Sequence, residues 1–111
     1  MDPRSALVLV KIAHTVVWAF FVACILAVPL TALAGHLGRA MTFTAVVLLE
    51  CVVLAANRWR CPLTDVAARY TDDRSDNFDI YLPVWLARHN KEVFGSLFVA
   101  GVLVLLWRWL R

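Results

Sequence analysis

Three long apolar runs, at about 5–34, 39–57 and 91–110, constrain this chain more than any motif, and one dense polar stretch, 58–90, separates the second from the third. A soluble amphipathic helix places polar residues on its outer face at every turn or so. Uninterrupted runs of roughly 20 apolar residues instead match the ~30 Å hydrocarbon core of a bilayer. A hydrophobic fraction of 62%, against about 45–50% in soluble proteins, agrees with lipid as the solvent. The expected fold is therefore an all-α membrane protein. It is a single membrane domain over 1–111, with three transmembrane helices and one or two short interfacial helices between the second and third.

The first run is longer than the bilayer core requires at 1.5 Å per residue, so its helix must tilt, protrude or kink, and Pro29 is the expected irregularity. A cleavable leader would carry a shorter apolar region without Lys11 and His14, so the run reads as a retained helix. Thr15, Ala19, Ala23 and Ala27 recur every fourth residue and predict a small-residue stripe for close helix packing. Gly35-His36-Leu37-Gly38 predicts a tight turn with two glycines free to take positive φ. Beyond Asn57, Trp59 flanked by Arg58 and Arg60 marks a membrane interface. Thr64 or Asp65 is then suited to cap a short interfacial helix running to Tyr70, with Val66 and Ala67 inward and Arg69 outward. The loop 71–77 is too charged for lipid, and Pro83 suits the first turn of the next helix. The sequence leaves open whether 83–110 forms one helix or breaks near Asn90.

The net charge of +3 is not organised as a nucleic-acid surface, because no basic cluster is interleaved with exposed aromatic residues. The basic residues are topological. Arg4, Lys11, Arg58, Arg60, Arg69, Arg74, Arg88 and Lys91 fall on the side shared by the N-terminus and the 58–90 stretch, and only Arg39, Arg108 and Arg111 on the other. The positive-inside rule then predicts a cytoplasmic N-terminus and 58–90 stretch.

Polar residues inside the runs define the candidate site. Lys11, His14 and Trp18 project from one face of the first helix at i, i+3 and i+7, and Glu50 and Asn57 share a face of the second. Glu50 lies about 10 Å of helical rise below the Asn57 end, and His14 roughly 13 Å below Ser5. Lys11, His14 and Glu50 can thus occupy one layer. An ionisable residue in a span costs at least about 2.5–3.5 kcal/mol unless it is partnered or hydrated, so a Lys11–Glu50 ion pair or a His14–Glu50 hydrogen bond is expected. Such a cluster is as readily a register-fixing polar knot as a working site. Cys24, Cys51 and Cys61 have no CxxC spacing, no zinc or iron ligand pattern occurs, and nothing in the spacing of Cys61 and His89 supports catalysis. A bis-His haem through His14 and His89 is opposed by their different depths.

His14 in the first helix, Cys61-Pro62-Leu63-Thr64 and Tyr81-Leu82-Pro83 before the last helix together resemble a family of small bacterial integral membrane proteins of unknown function. The resemblance implies a bacterial inner-membrane location and draws attention to His14 and Cys61, without implying an activity. The functional expectation is a cytoplasmic-side polar cavity formed by Lys11, His14, Trp18, Glu50 and Asn57 and closed by Cys61 and Tyr81. It would take an amphipathic ligand or cofactor such as a quinone, lipid or haem. A proton-coupled oligomeric transporter centred on Glu50 and an accessory subunit of a larger complex are the alternatives. Three helices bury little surface, so a homo-oligomer or larger membrane complex is the expected partner state.

Overall fold

A computed structural model describes residues 2–111. It is all-helical among those residues, with α1 at Pro3–Leu33, α2 at Leu37–Ala56, α3 at Pro62–Ala67 and α4 at Val84–Leu110. Helices α1, α2 and α4 are long and apolar enough to cross a membrane, and α3 is the one short helix between the second and third spans. The fold divides into two compact units, one of residues up to Ala19 with Val52–His89, the other Phe20–Cys51 with Asn90–Arg111.

In the second unit the helices meet through stripes at helical spacing. On α1 the buried residues are Cys24, Ile25, Val28 and Ala32. They pack with Ala40, Phe43 and Val47 of α2 and with Phe94, Phe98 and Leu105 of α4. Close approach of α4 depends on Gly101, where a Cβ would stand 3.0 Å from Pro29 Cδ and 3.6 Å from Val28 Cγ1. The packing stripe of α1 is therefore offset from the expected one, since Ala19 and Ala23 are exposed. Larger side chains at 24, 25 and 28 bury more apolar surface than alanines would. Pro29 lies inside a continuous α1.

The α1–α2 turn closes as a Schellman motif. The His36 N–H donates to Thr31 O at 2.8 Å and the Gly35 N–H to Ala32 O at 3.1 Å. Gly35 takes φ +86°, which glycine adopts without a Cβ clash. Gly38, expected to share that freedom, lies instead within the first turn of α2. Arg108 of α4 adds a cap, donating from Nε to Ala32 O at 3.1 Å, where a cation also opposes the negative end of the helix dipole.

The first unit carries the short helix and the polar segment. Pro62, which has no N–H to leave unsatisfied, opens α3, with Cys61 in the N-cap position. Neither Thr64 nor Asp65 caps it, because the helix begins before both, at Pro62, and α3 ends at Ala67 rather than Tyr70. Between α2 and α3 the chain reverses through Arg58 (φ 59°) and Trp59 (φ 64°). The reversal is held by a 2.6 Å bond from the Trp59 N–H to Leu54 O. α4 is continuous from Val84 and begins seven residues earlier than its apolar run. Pro83 immediately precedes it and offers its carbonyl to the Ala87 N–H at 3.0 Å.

Candidate functional site

The non-helical segment 79–81 lies along one face of α1, and α1 side chains complete its backbone hydrogen bonding. His14 Nδ1 lies 3.0 Å from the Asp79 carbonyl oxygen. A carbonyl only accepts, so Nδ1 is the donor in this bond, and in the neutral ring Nε2 is then the nitrogen with the lone pair. One residue on, Thr15 Oγ1 accepts from the Tyr81 N–H at 3.0 Å while donating to Lys11 O at 2.7 Å. The Lys11 ammonium stands 4.4 Å from the centroid of the Tyr81 ring, a cation–π contact. Irregular backbone near lipid persists only where its N–H and C=O groups find partners, and Lys11, His14 and Thr15 supply or flank them here.

Asp79 is buried at 7% exposure. Its carboxylate accepts a hydrogen bond from the Thr64 hydroxyl of α3 and lies 3.5 Å from His14 Nδ1. A buried carboxylate is costly unless hydrogen-bonded, and Thr64 and His14 together surround this one. Asp79 and Thr64 thus join α3, the polar segment and α1 into one network.

The sequence-derived candidates separate into groups. Lys11, His14 and Tyr81 come together in the first unit, with Trp18, half-buried, on the same helix face. Asn57 works at the α2–α3 junction, where its amide donates to Arg60 O at 2.7 Å and to Asp65 Oδ2 at 2.9 Å. Arg60 pairs with Asp65 there at 3.6 Å. Cys61, half-buried and in no disulfide, adjoins that junction. Glu50 is half-buried on α2 and belongs to the second unit. The hydrogen bond at His14 Nδ1 goes to Asp79. Sequence reasoning passed over Asp79, Thr64 and the hydroxyl of Thr15. A signal for Asp79 existed: of the aspartates in 71–82 it alone has apolar neighbours on both sides, Phe78 and Ile80.

Outside the network, the loop is held by its own turns. Asp73 accepts from the Ser75 N–H at 2.9 Å, and that bond holds its carboxyl below the ordinary carboxylate range. Arg88 of α4 pairs with Asp76 at 2.9 Å. His89, the other histidine at this end, directs Nδ1 to Trp85 O at 2.9 Å within its own helix. No group of three or more metal-ligating side chains occurs among the described residues. No family model matches the chain, and neither a curated protein nor a solved structure is similar to it.

Proposed function

We propose that this is a small multi-pass protein of the bacterial inner membrane that binds an amphipathic ligand at the contact between α1 and the 79–81 segment, on the cytoplasmic side. The observation that carries the reading is the hydrogen bond between His14 Nδ1 and the Asp79 carbonyl. With Nδ1 committed to the Asp79 carbonyl, Nε2 is an oriented acceptor. Fixing one ring nitrogen to orient the other is how proteins prepare a histidine to receive a proton or bind a ligand. A head group bearing a hydroxyl, such as a quinol, donates to Nε2, and the Lys11 ammonium beside it attracts partial negative charge. The tail lies along Trp18, one turn further on the same helix face and half-buried.

The test uses two substitutions that divide the imidazole between them. Asparagine at position 14 places its amide N–H where Nδ1 was and removes the Nε2 acceptor, and alanine removes both. Protein purified from native membranes is extracted and analysed for quinones and lipids, with an absorption spectrum of the same sample. Wild type is expected to carry a stoichiometric ligand, His14→Asn to lose it while keeping its thermal stability, and His14→Ala to lose both. A wild-type extract with no bound ligand, or equal retention by His14→Asn, overturns the reading.

A further inference from the structure

The outer face of α4, within the second unit, is built unlike a face made for lipid alone. Helix α4 packs inward through Phe94, Phe98, Gly101 and Leu105. About opposite to them on the helix, Lys91, Glu92, Gly95, Ser96, Val99 and Leu103 line an open groove of about 460 Å³. All six are exposed, and Val99 and Leu103 give the groove an apolar floor.

The polar and small residues of the groove have no task inside their own chain. A Cβ at Gly95 meets nothing within 4 Å, so no internal contact requires a glycine there. Glycine in a helix interior nevertheless costs about 0.5–1 kcal/mol relative to alanine. On α1 and α2, Thr15, Thr31, Thr42 and Thr44 each donate to the carbonyl four residues back. The Ser96 hydroxyl has no such bond among the described residues, and a hydroxyl set against hydrocarbon without a partner is unfavourable. Lys91 and Glu92, side by side at one end of the groove, enter no ion pair among the described residues.

We infer that the groove is filled by α4 of a second copy of this chain. Each copy takes its orientation in the membrane from the same sequence. Two copies therefore pair about an axis along the membrane normal, with residues of equal number at equal depth. Lys91 then faces Glu92 of the partner subunit, and Glu92 faces the partner subunit's Lys91. A face that carries both charges together at one end is thus complementary to itself. Gly95 lets the two backbones approach closely enough for the Ser96 hydroxyl to find an acceptor across the contact. A lipid fits less well, because its phosphate suits Lys91 but repels Glu92, and its acyl chain offers Ser96 no acceptor. The pairing does not depend on the His14 ligand.

Sedimentation equilibrium of the purified full-length chain in density-matched neutral detergent, over a range of protein-to-detergent ratios, reads the association. Wild type is expected to pass reversibly between monomer and dimer. Lys91→Glu and Glu92→Lys each set like charges against one another and should weaken dimerisation by about tenfold or more. The chain carrying both substitutions should recover most of that loss, which a purely internal role of either side chain would not allow. Gly95→Leu fills the groove from its own side and is expected to leave the chain monomeric, with unchanged helix content by circular dichroism. His14→Asn should associate as wild type does, so failure here and failure of the His14 reading are separable. A chain that stays monomeric at every ratio, its groove left to lipid or another protein, overturns the inference. So does a double exchange no tighter than the single ones, or wild-type association by Gly95→Leu.

Discussion

Replacing Thr64 with valine removes one hydroxyl and leaves the side-chain volume almost unchanged. The carboxylate of Asp79, 7% exposed, then loses the donor that Thr64 provides. Burial prevents water from substituting freely. A hydrogen bond to a charged group contributes about 1.5–3 kcal/mol, so Thr64→Val is expected to destabilise the first unit by an amount in that range. The pair can be isolated with Asp79→Asn, which removes the charge whose burial makes the missing donor costly but leaves the backbone carbonyl that His14 uses. The double variant is expected to be more stable than the sum of the single losses implies, by about 1–2 kcal/mol, the coupling typical of groups in one hydrogen-bond network. Equilibrium unfolding in mixed micelles, followed by tryptophan fluorescence, to which Trp18, Trp59 and Trp85 of the same unit contribute, gives all four free energies. A Thr64→Val loss below about 0.5 kcal/mol, together with strict additivity, would show that the carboxylate is hydrated and that the network does not hold α3 to the 79–81 segment.

Three further expectations use other parts of the molecule. Gly101→Ala places a methyl 3.0 Å from the rigid ring of Pro29, whereas Gly95→Ala on the same helix meets nothing within 4 Å. Both gain the same helix propensity, so Gly101→Ala should be the less stable by about 1–3 kcal/mol, an overpacking cost readable in the same unfolding assay. Arg58→Gly should stabilise the chain by about 0.5–1 kcal/mol, since Arg58 holds φ 59°, a conformation that penalises a Cβ; a thermal shift in the opposite direction would refute it. The Asp73 carboxyl is held low in the folded chain by the Ser75 N–H. Its contribution to the 73–75 turn is therefore complete above the ordinary carboxylate range and lost as pH falls through the lower folded value, which amide exchange at Ser75 should follow and Asp73→Asn should abolish.

The three spans and the α1–α2 turn were legible in the sequence because apolar length and a glycine at a helix end are local signals. The start of α4 was not. Arg88, His89, Asn90, Lys91 and Glu92 hide its first turns, although charged residues are ordinary in helix that lies outside the hydrocarbon. The site was half legible: Lys11, His14 and Tyr81 were singled out and do converge. The contact of His14 with Asp79 was passed over because depth matching compares one helix with another and takes no account of a non-helical segment returning along α1. Asp79 and Thr64, 15 residues apart and joined by a hydrogen bond, belong to a long-range contact that no periodicity reports.

The lengths of the helices also place the site with respect to the bilayer. Arg108 donates to the carbonyl of Ala32, which marks a polar boundary at the C-terminal end of α1. A core of about 30 Å takes roughly 20 helical residues, and counting back from Leu33 reaches Ala13 and His14. Counting forward from Leu37 along α2 reaches Asn57, a polar side chain with polar partners. α1 and α2, measured separately, each end such a span at a residue engaged with the 58–83 stretch. This count would put His14 and Thr15 where the hydrocarbon begins and Lys11 at head-group level, and an amphipathic ligand of the kind proposed would then enter from the lipid side. Spin labels on the exposed positions Val8 and Val16 of α1, in reconstituted vesicles, test this. Val8 should be relaxed chiefly by a water-soluble paramagnet and Val16 chiefly by oxygen. Oxygen-dominated relaxation at both would put the His14 network well inside the membrane and remove the argument for lipid-side entry at the interface.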